Sequence, residues 1–357
     1  MHDLKTLGWN SFFEKEFEPF KSEGYEVGRV ALEHKGGYRL YTQNGEIPAE
    51  ITGRVRFEAS GRADFPAVGD WVVITVQPAE AKASIHAVLP RKSKFSRKIA
   101  GNVTDEQLVA TNIDTVFLIQ SLDKNYNLRR LERYLVLALE SGAEPVIILS
   151  KADLCETVEE RLLEVEAIAP GVPVHALSPK LGEGLEQLNP YLGTGRTIAF
   201  LGMSGVGKST LINRLVGRDV QKVAEVRAHD DRGVHTTRHR ELVILPSGGL
   251  LVDTPGMREL QLWDVGEGLS DSFSDVEALA AQCRFSNCTH RQEPDCAVRE
   301  AIKSGSLDQK RLENYLKMGK ELEYLESRQD TKSQLKRKER ERKLMKEYNK
   351  IKRHKQK

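Results

Sequence analysis

Gly202, Met203, Ser204, Gly205, Val206, Gly207, Lys208 and Ser209 follow one another without a gap, and this octet constrains the chain more than any other feature. The spacing G-x-x-x-x-G-K-[ST] makes a phosphate-cradling loop when a strand precedes it and a helix follows. Here the apolar run Thr197-Ile-Ala-Phe-Leu201 comes before it, and the helical run Thr210-Leu-Ile-Asn-Arg-Leu215 comes after it. The glycines let backbone N–H groups close around a phosphate, and the helix N-terminus adds partial positive charge. Lys208 is placed to reach the β- and γ-phosphates and Ser209 to ligate Mg2+. Thr210 lies beside them on the first helical turn. A chance glycine-rich turn would not need a strand and a helix on its two sides.

The flanking sequence supplies a sheet for that loop. Asp114 to Ile119, Pro145 to Leu149, Val172 to Ala176 and Leu250 to Asp253 read as buried strands. Helical patterns run from Leu128 to Glu140 and from Arg161 to Ile168, and Leu185 opens another. Such alternation means a parallel sheet covered on both faces. Before it, residues 25–95 carry short alternating runs, such as Trp71 to Val76, separated by turn signals such as Asn44-Gly45. That pattern suggests a small OB-like β-barrel. Residues 1–24 read as an amphipathic helix with Phe12, Phe13, Phe17 and Phe20 on one face.

Two further motifs address the rest of a nucleotide. Asp253-Thr-Pro-Gly256 ends a strand, where the carboxylate can hold Mg2+ through water and the Gly256 N–H can meet a γ-phosphate. After a phosphate loop this reads as the switch II element of a GTPase. Ser150, Lys151, Ala152 and Asp153 lie at the carboxyl end of a predicted strand, where open α/β sheets bind ligands. They resemble the guanine-reading N/T-K-x-D motif. An Asp there accepts from guanine N1–H and the exocyclic amine, which adenine lacks, and the Lys stem packs over the purine. Ser150 departs from the usual Asn or Thr and offers no amide to guanine N7, but the carboxylate discrimination stands. Ser178-Pro-Lys180 resembles the S-A-K loop that backs the base, with Ser178 and Lys180 as its matching residues. The order is base motif, base loop, phosphate loop, a switch I candidate at 232–237, then switch II. Ordinary GTPases begin with the phosphate loop, so the sheet is expected to be circularly permuted.

Of the four cysteines, three fall within fourteen residues, as Cys283-x4-Cys288-x-His290-x5-Cys296. Three thiolates and one imidazole make a closed tetrahedral Zn2+ set with no open position for substrate, hence a structural site. Cys155 stands apart and reads as a small hydrophobe. Four cysteines in 357 residues exclude a disulfide scaffold. No apolar run approaches the roughly 20 residues of a membrane span, and the acidic first twenty residues lack the apolar core of a signal peptide. A cytoplasmic protein without a membrane partner is expected. The formal net charge of +2 hides an asymmetry. Residues 331–357 carry 13 Lys/Arg against 3 Glu, which leaves the preceding residues net negative. A basic tail on an acidic body suits an anionic partner such as nucleic acid, although it could also serve only solubility.

On these motifs the chain resembles the bacterial ribosome small-subunit-dependent GTPase A family, circularly permuted GTPases of ribosome assembly. The resemblance covers nearly the whole chain. It implies a multi-domain α/β architecture: helix 1–24, OB-like barrel 25–95, circularly permuted P-loop GTPase domain 96–265, helical zinc-binding domain 266–330 and basic tail 331–357. Arg232-Gly-Val-His235-Thr236-Thr237 looks like the family's G-x-H-T-T switch I. That likeness implies a Mg2+-ligating threonine, Thr236 or Thr237, and makes His235 the candidate for positioning water. Met257 stands where ordinary GTPases place a catalytic Gln, and a thioether cannot orient water. The expected catalytic pair is therefore His235 and Lys208; the alternative for His235 is a loop residue that only contacts RNA. The implied cofactors are Mg2+ with GTP and one structural Zn2+. The implied partners are the small ribosomal subunit and its rRNA, GTP and GDP, and other assembly factors, with the chain a monomer. The rival functions are a P-loop ATPase or kinase, and an RNA-binding protein with a degenerate nucleotide site.

Overall fold

The computed structural model describes residues 2–34, 37–98, 106–217, 240–253 and 267–324. The switch I candidates His235, Thr236 and Thr237, together with Gly256, Met257 and the tail over 331–357, lie outside them.

A single helix does not form over 1–24. A 3-10 turn at Leu4–Leu7 ends at Gly8, whose φ of 88° reverses the chain, and α1 (Ser11–Lys21) begins after it. Asn10 caps α1 by accepting from the Phe12 N–H, meeting one of the orphan donors of a helix start. Phe13 and Phe17 are buried, and Phe13 packs against Trp71 of the barrel.

The barrel consists of β1 (Glu26–His34), β2 (Gly37–Thr42), β3 (Gly45–Ile51), β4 (Trp71–Gln77) and β5 (Lys82–Val88), with α2 (Gly53–Glu58) between β3 and β4. The strands run β1-β2-β3-β5-β4, and β4 pairs back with β1 at Val72↔Gly28, which closes the sheet. Alternate residues, among them Val30, Leu40, Val72, Ile74 and Ile85, fill the interior. A hairpin of β6 (Lys94–Lys98) and β7 (Glu106–Thr111) follows. The sequence did not announce it, because β6 carries only Phe95 among polar residues and β7 only the short run Leu108 to Ala110.

The second sheet contains β8 (Thr115–Ser121), β9 (Glu144–Ser150), β10 (Val174–Leu177), β11 (Thr197–Leu201), β12 (Arg240–Ile244) and β13 (Leu250–Asp253). Its order is β10-β9-β8-β11-β13-β12, parallel except where β12 meets β13. β12 also pairs with β1 at Glu241↔Leu32, so barrel and sheet share one hydrogen-bonded ladder. Both faces are covered. Val116, Leu118, Ile147 and Leu149 pack with Leu131, Leu135 and Val165 of α3 (Leu128–Ser141) and α4 (Val158–Ile168). Phe117, Ile119, Ile148 and Phe200 pack on the other face with Leu211 and Ile212 of α5 (Lys208–Val216). Two-sided burial explains why these strands read as unbroken apolar runs. The segment at Leu185 is a 3-10 helix, Leu185–Tyr191, containing Pro190.

The C-terminal region contains α6 (Glu267–Ser272), α7 (Ser274–Ala280), α8 (Ala297–Ser304) and α9 over 309–324. It packs on α3 through buried side chains such as Leu269 and Phe273, which join the core of Leu131 and Leu135, and ion pairs add to that contact. Arg311 of α9 bonds Glu132 of α3 at 2.8 Å and Asp275 of α7 at 2.6 and 2.7 Å. Glu132 also accepts from Arg129 at 2.6 Å and from Asn314 at 2.6 Å.

Candidate nucleotide-binding site and metal centre

β8, β9 and β11 are neighbours in the sheet, so their carboxyl ends open onto one crevice. β9 and β10 extend to one side of β8 and β11 resumes on its other side, which is the topological switch point where such sheets bind ligands. From β11 the chain turns through 202–207 into α5. A Cβ on Gly202 would stand 2.6 Å from the Ile119 carbonyl oxygen, and Gly207 has a φ of 96°; only glycine fits the first approach and suits the second. Lys208 is buried, and its ammonium donates to the carbonyls of Gly202 and, at 2.5 Å, Met203. The cation is thus folded over the loop whose N–H groups would hold a phosphate. Ser209 is partly buried in the first turn of α5, and Thr210 beside it is exposed. Asp253 ends β13, which pairs with β11 up to Val252↔Ala199, so its backbone ends near the strand end from which the loop departs. A hydroxyl and a carboxylate are hard oxygen donors, the set that suits Mg2+.

Ser150 takes a role the motif alone does not suggest. Its hydroxyl is fully buried and donates to the Val206 carbonyl at 2.5 Å, joining the end of β9 to the phosphate loop. The short side chain that cannot reach a base nitrogen is the right length for this bond. Lys151 adopts left-handed backbone geometry, with φ 58°, and its ammonium pairs with Asp123 at 2.8 Å. Burial would raise the Asp123 pKa, but bonds from Lys151, the Asn125 N–H and the Ser121 hydroxyl outweigh it and hold the carboxyl well below the usual range. Ala152 opens a one-turn 3-10 helix, Ala152–Leu154. Asp153 accepts from the Ser178 hydroxyl at 2.5 Å, so the base motif and base loop meet side chain to side chain. Lys180 contributes its carbonyl, which accepts from Arg214 at 3.0 Å. Asp123 and Arg214 were not singled out from the sequence. Asp123 had one available signal: an acid two residues beyond a fully buried strand end.

The ligand atoms of Cys283, Cys288, His290 and Cys296 all lie within 4.8 Å of one another, between α7 and α8. Cys283 Sγ is 3.8 Å from Cys296 Sγ and 3.6 Å from His290 Nδ1, and Cys296 Sγ is 3.5 Å from the same nitrogen. A tetrahedral ion with bonds of about 2.0–2.3 Å has ligand–ligand edges of roughly 3.5–3.8 Å, so this cluster fits a four-coordinate metal. Glu293 braces the turn. It accepts from the Thr289 hydroxyl and from the N–H groups of Thr289, Arg291 and Gln292. Those bonds, the Thr289 hydroxyl foremost, hold its carboxyl well below the usual range. Cys155 is half-buried and outside this cluster. Among the described residues no helix is long and apolar enough to cross a membrane.

Comparison with known proteins adds an independent line of evidence. The family model described as RsgA GTPase matches residues 88–263. The small ribosomal subunit biogenesis GTPase RsgA of Opitutus terrae is 48% identical, over 92% of each chain. The small ribosomal subunit biogenesis GTPase RsgA 2 of Lactiplantibacillus plantarum is 47% identical, over 87% of each. Among solved structures, the crystal structure of YjeQ from Thermotoga maritima superposes with a TM-score of 0.62 at 29% identity, over 84% of this chain and 98% of that one. YloQ, described as a circularly permuted GTPase, gives 0.61 at 26% identity, over 84% and 95%.

Proposed function

The chain belongs to the RsgA GTPase family and is a GTP hydrolase of small ribosomal subunit biogenesis; on that footing we propose how its residues carry the reaction and what they bind. Asp153 reads guanine by accepting from N1–H and the exocyclic amine, Lys151 covers the purine, and the 202–208 backbone with Lys208 holds the phosphates. Attack of water on the γ-phosphorus breaks its bond to the β–γ bridging oxygen. The developing negative charge is met by the loop N–H groups and by Lys208, whose ammonium exchanges its bonds to the Gly202 and Met203 carbonyls for the phosphates. Ser209 and Asp253, with Thr236 or Thr237, would hold Mg2+, which would supply positive charge to offset the negative charge of the phosphates. His235 positions the water, since Met257 cannot. The observation that supports this reading is the junction at Ser150 and Val206, where the end of the base-reading strand is hydrogen-bonded directly to the phosphate loop.

The Cys3His cluster holds one structural Zn2+: three thiolates and the His290 imidazole fill all four positions, and the knuckle ties α7 to α8. The small subunit's rRNA is the macromolecular partner, met by the barrel, the zinc knuckle and the tail over 331–357, whose 13 basic residues suit phosphates. Subunit binding accelerates turnover late in subunit maturation, and the chain acts as a cytoplasmic monomer. The deciding experiment is GTP turnover with and without isolated small ribosomal subunits, with ATP as competitor. Turnover that rises with subunits and resists ATP is expected. Equal use of ATP and GTP, or no response to subunits, would refute the corresponding part.

A further inference from the structure

Arg214 lies six residues beyond Lys208 on the same helix, yet its guanidinium reaches back to the loop behind the base motif. Nε donates to the Pro179 carbonyl at 3.2 Å and Nη2 to the Lys180 carbonyl at 3.0 Å. That loop is tightly folded. The Ser178 N–H donates to the Glu183 carbonyl at 3.0 Å and the Gly182 N–H to the Ser178 carbonyl at 2.8 Å, with Gly182 and Gly184 both at positive φ. Ser178 is buried, and its hydroxyl accepts from the Leu181 N–H at 3.3 Å while donating to Asp153 Oδ1. With both roles taken, the hydroxyl has one orientation, and it anchors one oxygen of the Asp153 carboxylate. The chain of contacts therefore runs from α5 through Arg214 to the 178–182 loop and from there to Asp153.

We propose that Arg214 is a positioning residue for guanine selection, clamping the Ser178–Lys180 loop to the phosphate-binding helix so that Asp153 is held to receive both the ring N–H and the exocyclic amine. A planar, forked guanidinium suits two successive carbonyls, whereas a lysine ammonium meets them as a single point charge. A carboxylate that is free to rotate still offers one oxygen to a purine N–H, but it loses the paired geometry that the amine requires. Arg214 should therefore affect discrimination between bases more than it affects grip on the phosphates. This inference rests on the guanine reading of the site.

The test measures GDP, IDP and ADP affinity for the full chain and for Arg214→Ala and Arg214→Lys, with melting temperatures alongside. IDP lacks the exocyclic amine and keeps the ring N–H. Alanine retains helix propensity at this position. The expected result is a GDP-over-IDP preference that falls roughly tenfold in Arg214→Ala and less in Arg214→Lys, with ADP binding and melting temperature nearly unchanged. An unchanged ratio in both variants would overturn the proposal, as would equal losses for GDP and IDP accompanied by a lower melting temperature. Native protein that binds ADP as well as GDP would instead overturn the underlying guanine reading.

Discussion

Two buried arginines join the central sheet to its neighbours, and they are compensated in opposite ways. Arg29 of β1 donates to the carbonyls of Leu7, Gly69 (3.2 Å) and Asn112 (3.1 Å) and to the Thr197 hydroxyl at the start of β11 (2.9 Å). Its guanidinium faces Trp71 at 5.7 Å. These are neutral dipoles; Asp114 and Asp70 act on it only through space, and burial brings its pKa down to about 10. Arg311 instead sits between the carboxylates of Glu132 and Asp275, over the ring of Phe273 at 4.6 Å. Burial opposes its charge too, but the bonds and fields of Asp275 and then Glu132 prevail and raise its pKa. The first joint spreads one charge over many dipoles. The second balances charges pairwise, so losing one partner leaves another exposed to the low-dielectric interior.

The largest test of that contrast removes the metal. Structural zinc binding is worth about 10–16 kcal/mol in small domains, and Asp275 lies on the helix leading into the knuckle. Chelation should release about one zinc per chain and expose the region after residue 266 to protease, while the barrel and sheet around Arg29 stay protected. Loss of protection everywhere, or nowhere, would break the separation of the two joints.

Next comes Glu132→Leu, which removes the buried carboxylate shared by Arg311 and Arg129 and leaves them only the more exposed Asp275 and Asp308. A loss of about 3–5 kcal/mol in denaturant unfolding is expected, with the double variant Glu132→Leu/Arg311→Met recovering most of it. A double variant no better than the single would show that the pairing of charges is not what matters there. Arg29→Met should cost less, about 1–3 kcal/mol. It orphans several acceptors but also removes a charge that burial disfavours. Its cost should also be nearly independent of salt, since no carboxylate among the described residues touches it.

The smallest effect concerns Asp123 and Lys151, a pair less buried than either joint, worth no more than about 1 kcal/mol. The Asp123 pKa is depressed in the folded chain, so its stabilisation is fully present above its unfolded value near ~3.9 and fades as pH falls below that. Comparing melting temperatures of native protein and Asp123→Asn between neutral pH and pH 3 should show the difference shrinking on acidification. A difference that grows would reverse the assignment.

Features that depend on nearby residues were legible before any fold was known. Gly202 to Ser209 carry their function in spacing and in two glycine geometries, and Cys283 to Cys296 gather four metal donors within fourteen residues. The central parallel strands β8, β9 and β11 were legible too, because burial on both faces leaves a continuous apolar run in each. The β6–β7 hairpin was not, since β6 sets the single apolar residue Phe95 among polar ones, and neither was the β1–β12 ladder, whose partners lie far apart along the chain. Ser150 looked like a defect in a base-reading motif until β9 was set beside the phosphate loop, where its hydroxyl meets Val206 across 56 residues. Asp123, Arg214, Arg29 and Glu132 likewise look like ordinary charged residues in the linear chain. Hydrogen bonds and ion pairs act over about 3 Å, so which distant groups they join follows only from strand order and helix packing, and those the tertiary structure decides.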